Sequence, residues 1–258
     1  MHRHHLPGHD LLRGDATLEN EDARHLQNVL RVRVGDRVEA FDGKGNTRVM
    51  TVAETAKRHI RLVASGEVVP HAPPARRVTL FAAAFKPSRM DWLIEKAVEL
   101  GVWQIAVFAT TRSVTDVREE GVARWRRIAR EALRQCGGAW EPEITRDTFD
   151  GFCGKVADLT QRGGIVFFGD LTEDAPPLAD GVQEFRTPGV QKNFECGWCF
   201  GPEGDFTGEE IAAMRAAGAR GVSLGPRVLR SETAGIFGLC AIQLFDFESN
   251  REGELAHA

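Results

Sequence analysis

Phe200 to Gly238 reads FGPEGDFTGEEIAAMRAAGARGVSLGPRVLRSETAGIFG, and this stretch decides the fold. It holds two loop-like segments, Gly201 to Phe206 and Leu224 to Thr233, separated by a short helix and a strand. Each loop follows an apolar segment and leads into a helix. Open α/β sheets bind ligands at such places, at the carboxyl ends of their strands. The glycines of Gly201-Pro202-Glu203-Gly204 let backbone approach a ligand closely. A tight turn into a capped helix would explain them equally well. Gly225-Pro226 interrupts any helix through the second loop. Ser231-Glu232-Thr233 then brings hydroxyls and a carboxylate to the start of an apolar helix, where a plain N-cap is the simpler reading. The two loops together suit the floor and wall of a small-molecule pocket.

Upstream, strands alternate with helices. Val78–Ala82, Val102–Phe108, Ile165–Phe168, Cys196–Phe200 and Val222–Leu224 are the predicted strands. Ser88 opens a helix with Asp91 in a capping-box-like position, and Met90, Leu93, Ile94, Ala97 and Val98 recur at helical spacing up to Gly101. Val122 to Gln135 is a second helix, with Trp125, Ile128, Ala129 and Ala132 on one face. Thr207, with Glu210 at the third helical position, starts a third, which ends near Gly218. Ile236 to Phe245 closes the domain, and 174–193 is loop-like. Such alternation implies an α/β fold with a parallel sheet covered on both faces.

Residues 1–70 follow another pattern. Val38–Phe41, Thr47–Val52 and Ile60–Val63 alternate as strands, with a strong turn at Asp42-Gly43-Lys44-Gly45-Asn46 and one short helix at Glu21 to Leu30. This predicts a small β-barrel. Pro70-His71-Ala72-Pro73-Pro74 breaks the chain as a linker, so the expected domains are 1–72 and 73–250.

Composition excludes several classes. Of 258 residues 42% are hydrophobic and 27% charged, as in a soluble globular protein, and no apolar run approaches a membrane span. The start, Met1-His2-Arg3-His4-His5, has no apolar signal region. His2, His4, His5 and His9 are expected to belong to a flexible terminus. Five cysteines at irregular spacing point to reduced thiols in the cytoplasm. Cys196-Gly197-Trp198-Cys199 lies inside an apolar strand, not at a helix start, and no second pair completes a zinc site. No metal is expected. The net charge of −4 is uneven: residues 1–75 carry 11 Lys+Arg against 10 Asp+Glu, so the excess of acid lies downstream.

GPEGDF followed by LGPRVLRSETA resembles the signature of the ribosomal RNA small-subunit methyltransferase E family, which is similar to other SPOUT methyltransferases. His25-Leu26-Gln27-Asn28-Val29-Leu30-Arg31 with Gly35-Asp36, Lys86 with Met90-Asp91, Glu95 to Gly101, Arg112-Ser113, and Glu131-Ala132 with Gln135 match as well, so the resemblance covers nearly the whole chain. It implies a SPOUT-type sheet with a C-terminal trefoil knot, preceded by a PUA-like barrel that helps hold RNA. It also implies a homodimer that transfers a methyl group from S-adenosylmethionine to N3 of a uridine in small-subunit ribosomal RNA, naked or in an assembled subunit. Carried over residue by residue, Gly201, Glu203 and Gly204 fall in the first cofactor loop, and Leu224, Gly225, Val228 and Leu229 in the second, with Thr233 beside it. Asp205 stands where the family usually has a second glycine. If that position needs positive φ, Asp tolerates it better than most residues.

Uracil N3 must lose its proton before it can attack the methyl group. A cation that stabilises the uridine anion, or a positioned base, lowers that barrier. Arg230 is the first candidate for the cation; a phosphate or carboxylate clamp is its alternative role. Glu232 is a weaker candidate for the base, with a structural ion pair as the alternative. N3 lies on the pairing edge, so the target must be unpaired or flipped. Candidate RNA contacts are Arg127, Arg130 and Arg134 on one helix face, Lys86, Arg89 and Arg112 near the loops, and Arg3, Arg24 and Arg31 in the small domain. Arg31 and Arg33 alternate with Val32 and Val34, as on the outer side of a strand. The alternative from another class is a catalytically silent RNA-binding or ribosome-assembly factor of the same fold.

Overall fold

The computed structural model describes residues 1–113, 117–184 and 194–255. The chain divides into two compact units, Met1–Pro73 with Arg130–Glu141, and Pro74–Ala129 with Pro142–Ala258.

The first unit contains β1 (His2–His5), α1 (Gly8–Arg13), β2 (Asp15–Glu19), α2 (Asn20–Arg24), a π turn at His25–Val29, β3 (Arg37–Phe41), β4 (Asn46–Ala56) and β5 (His59–Pro70). The strands form one sheet in the order β1-β3-β4-β5-β2. Alternation sets its buried face: Ala16 and Leu18, Val38 and Ala40, Met50 and Val52, Ile60 and Leu62 all point into one core with Leu6, Leu11 and Leu26. Asp42 makes the predicted turn by accepting from the backbone N–H groups of Lys44 and Asn46.

The expected flexible terminus is instead strand β1, paired in parallel with β3. A run of histidines carries no hydrophobic signal, yet an uncharged imidazole packs as an apolar ring. His4 is fully buried, and burial, aided by the Arg134 charge, lowers its pKa to about 3. Neither ring nitrogen has a hydrogen-bond partner. The folded pKa lies below the unfolded value of 6.5, so protons bind better to the unfolded chain. Stability is therefore full above about pH 6.5 and falls as pH drops toward 3. At pH 5 the loss from this one group is about 2 kcal/mol. Protection of the β3 amides against hydrogen exchange, corrected for intrinsic rates, should fall between pH 7 and pH 5 by that amount. In His4→Leu the fall should shrink accordingly; an equal fall would remove His4 as its cause.

Residues 31–36 are not a strand: Arg31 takes φ +54°, and Arg33 to Asp36 form a turn in which the Arg33 N–H donates to the Asp36 carboxylate. Val32 is buried and Val34 exposed.

The second unit adds β6 (Arg76–Ala83), α3 (Pro87–Glu99), β7 (Gln104–Phe108), α4 (Glu119–Cys136, whose last residues count with the first unit), β8 (Glu143–Asp147), α5 (Phe149–Gln161), β9 (Ile165–Gly169), α6 (Leu178–Gln183), β10 (Phe194–Phe200), α7 (Gly208–Ala216), β11 (Arg220–Val222) and α8 (Ser231–Leu255). All strand pairs are parallel, in the order β11-β9-β10-β6-β7-β8. The order is consistent with the C-terminal knot that the resemblance implies. One face packs Phe81, Phe108, Val166, Phe168 and Cys199 against α5 and α7. The other carries α3 and α8, which pack on each other.

Other elements differ from expectation: the last strand is Arg220–Val222, not Val222–Leu224. Strand β8 was not foreseen, because at the sheet edge it buries only Ile144 among polar residues. Helix α3 begins at Pro87, not Ser88: Pro suits the first helical position, and no side chain caps this end. Part of the predicted loop 174–193 is helix α6, and 185–193 lies outside the described residues. The Phe245 side chain does too. No helix among the described residues is long and apolar enough to cross a membrane.

Candidate active site

A cavity of about 600 Å³ opens at the carboxyl ends of β9, β10 and β11. Three loops line it: Gly169–Glu173, the Gly201–Asp205 loop, and Ser223–Ser231. Ala234 of α8 completes it.

The first predicted loop leaves the central strand β10. Asp205 donates its N–H to Pro202 O at 3.0 Å and takes φ +57°, so the position that usually holds glycine does require the left-handed region. Asp205 lines the cavity, and burial raises its carboxyl pKa above the ordinary value, the charge of Asp170 adding to the shift. A capping box between Thr207 and Glu210 starts α7. The other side is braced by the Thr111-Arg112 segment. The Thr111 N–H donates to Glu210 Oε1 at 2.8 Å, and Arg112 Nη1 donates to the carbonyls of Gly204 and Phe206 at 2.9 and 3.3 Å. A Cβ on Gly204 would sit 3.2 Å from that of Arg112, so a larger residue there would press on the brace. Since Asp205 holds a conformation that costs an L residue of order 1 kcal/mol, Asp205→Gly should raise thermal stability by up to about that amount. An unchanged or lower melting temperature would show that its carboxylate contributes more than the strain costs.

The second loop is open. Gly225 takes φ +114°, a Cβ added there would meet no atom within 4 Å, and its N–H donates to Ser223 Oγ at 3.2 Å. Val228 is 78% exposed, an unusual state for valine, and Arg227 and Arg230 are exposed beside it. Leu224, Leu229 and Phe200 give the cavity apolar walls.

The third loop was missed, although Gly169-Asp170 follows an apolar strand just as the other loops do. Asp170 is buried and anchors the loop. Its oxygens accept from the Thr172 N–H at 3.0 Å and from Arg215 Nη2 at 2.7 Å.

The structure thus gathers Gly201, Glu203, Leu224, Gly225, Val228, Leu229 and Arg230 around one cavity. Gly204, Glu232 and Thr233 are not among its lining residues. Helix α8 starts at Ser231, which turns Ser231 and Ala234 toward the cavity at i and i+3 and leaves Thr233 exposed. Glu232 is largely buried, with Oε1 3.6 Å from Arg89 Nε and Oε2 without a hydrogen-bond partner.

The predicted RNA cations separate into two groups. Arg24, Arg31, Lys86 and Arg127 are exposed. Arg3 is committed to the fold: it pairs with Glu39, donates to the carbonyls of Leu133 and Gly138, and lies over the Phe41 ring. Arg134 is tucked between Glu131 and Asp22, Arg130 pairs with Glu141 at 3.0 Å, and Arg112 and Arg89 are engaged with the cavity loops. Cys196 and Cys199 are buried thiols within β10, and burial pushes the Cys199 thiol up.

Residues 72–243 match the RNA methyltransferase domain family, and residues 18–65 the RNA methyltransferase PUA domain. A ribosomal RNA small subunit methyltransferase E of Synechocystis is 28% identical over 233 residues, covering 90% of this chain and 74% of that protein. Two solved structures superpose with TM-scores of 0.79. One is a methyltransferase of Legionella pneumophila in complex with SAM, 27% identical, over 94% of this chain and 96% of that one. The other is a ribosomal RNA small subunit methyltransferase E of Neisseria gonorrhoeae bound to S-adenosyl methionine, 26% identical, over 95% and 98%. The chain belongs to the RNA methyltransferase domain family.

Proposed function

We propose that this chain is an S-adenosylmethionine-dependent methyltransferase of small-subunit ribosomal RNA that modifies N3 of a uridine, acting in the cytoplasm as a homodimer. The observation that carries this reading is the three-loop cavity at the carboxyl edge of the parallel sheet, in a chain whose relatives hold S-adenosylmethionine. The cavity fits that cofactor: Leu224, Val228, Leu229 and Phe200 offer apolar surface, and Gly201 and Gly225 let a ligand approach the backbone closely. Gly201, Glu203, Leu224, Gly225, Val228 and Leu229 would hold it. When bound it supplies an electrophilic methyl group. Arg230, exposed on the cavity rim, would stabilise the uridine anion. Glu232 accords better with a structural ion pair, because it contacts Arg89 and is not part of the lining. Arg24, Arg31, Lys86 and Arg127 remain available for RNA phosphates. Trp92, Phe237 and Leu244 leave apolar surface exposed on α3 and α8, which supports a homodimer through these helices.

The test is methyl transfer to small-subunit RNA from cells lacking this activity, with the product nucleosides mapped by mass spectrometry. N3-methyluridine is expected. Cofactor binding without transfer would instead favour the silent assembly factor, and methylation at another atom would overturn the uridine-N3 assignment.

A further inference from the structure

The structure assigns Arg89 a positioning role: it ties the two predicted cofactor loops together and so sets cofactor affinity, in place of the RNA contact that its charge suggests. The inference rests on the proposed function. Arg89 lies in the first turn of α3, immediately after the carboxyl end of β6 and its Lys86-Pro87 turn. Its guanidinium reaches two carboxylates with different nitrogens. Nη1 is 3.5 Å from Glu203 Oε1, and Nε is 3.6 Å from Glu232 Oε1. Glu203 lines the cavity from the first loop. Glu232 stands in the first turn of α8, two residues beyond Arg230 and next to the cavity-lining Ser231.

Along the chain these carboxylates are separated by α7 and β11, so Arg89 is a cross-tie that the backbone does not provide. Glu232 needs it. Its side chain is 14% exposed, and Oε2 is buried without a hydrogen-bond partner. A buried carboxylate that loses its counter-charge is strongly disfavoured. Without Arg89 it would turn toward water and pull the first turn of α8, with Ser231, away from the cavity. Both contacts are longer than hydrogen bonds, so they act through charge and have room to shorten when a ligand draws the loops in. The fork geometry matters too. A lysine ammonium keeps the charge but does not present two separated donors in one plane.

Calorimetric binding of S-adenosylmethionine to the full chain tests this without reference to turnover. Arg89→Ala should weaken binding about tenfold, within the usual range of coupling between sites. Arg89→Lys should recover only part of the loss. Glu232→Gln, outside the cavity lining, leaves the Arg89–Glu203 contact in place and should weaken binding less than Arg89→Ala. It should add nothing in the double variant, as expected for residues acting as one unit. KM for RNA and its salt dependence should stay as in the parent. The opposite pattern would overturn the inference: unchanged cofactor binding, with a higher KM for RNA and a salt slope lower by about one, marks a phosphate contact. If Arg89→Ala does not fold, Glu232→Gln carries the test alone, and parent-like cofactor binding there overturns the tie. Failure of the parent chain to bind S-adenosylmethionine would count against the proposed function, not against the tie.

Discussion

Arg230→Ala should lower kcat for methyl transfer by roughly 10²–10³-fold, the usual loss when a group that stabilises developing negative charge is removed. The expectation follows from position. Arg230 ends the second loop, lines the cavity and is exposed. On the proposed function it would meet the O2 or O4 edge of a uracil as N3 loses its proton. Neutral uracil carries no charge for it to meet, so the interaction is made chiefly in the transition state. Cofactor binding should change far less than kcat. Two other roles predict other patterns. A phosphate clamp would raise KM for RNA with kcat retained, and its effect would fade as salt rises. A purely structural arginine would lower the melting temperature together with activity. Arg230→Lys separates charge from shape: substantial recovery means that charge suffices, and none means that the planar fork is needed.

The elements most legible in the sequence were those in which periodicity and chemistry agree. Strand alternation around Val38, Met50 and Ile60 foretold the first unit's buried face. Apolar runs ending in glycine foretold β9, β10 and the loop after β10. The misses have physical causes. Strand β1 is written in histidines, whose burial depends on losing a proton that the sequence does not display. Strand β8 is a polar edge. Asp170 anchors a third loop through Arg215, a partner 45 residues away, and long-range pairing leaves no local trace. Among the arginines, sequence shows charge but not commitment. Arg3 and Arg127 look alike on paper, yet one is spent on Glu39 and two carbonyls while the other is exposed. At Asp205 the sequence raised the left-handed region only as a condition, and the backbone is left-handed there.

Gly238→Ala should destabilise the second unit by about 1–3 kcal/mol, although alanine is the better helix former by about 1 kcal/mol. Gly238 lies on α8 above Trp198, a fully buried residue of the central strand β10. A Cβ there would stand 2.1 Å from Trp198 Cε2 and 2.5 Å from Nε1. One turn earlier, Gly235 is also close to its neighbours, its Cβ position 2.9 Å from Phe200 and from Leu93. Helix α8 thus rests on the sheet by its backbone, and the indole seals the contact by donating to Ala234 O at 3.1 Å. An added methyl must lift the helix or turn the indole. Overpacking of this kind costs about 1–3 kcal/mol, and losing the hydrogen bond costs about 1 more. Those losses outweigh the gain in helix propensity. Because Ser231 and Ala234 line the cavity from the same helix, cofactor affinity should fall along with stability. Gly154→Ala is the matched control: on α5, with nothing within 4 Å of its Cβ position, it should stabilise the protein by up to about 1 kcal/mol. Opposite shifts in melting temperature for the two alanines are the expected result. A neutral Gly238→Ala would mean that α8 is not seated on Trp198, and would remove the support that this helix gives to the second loop.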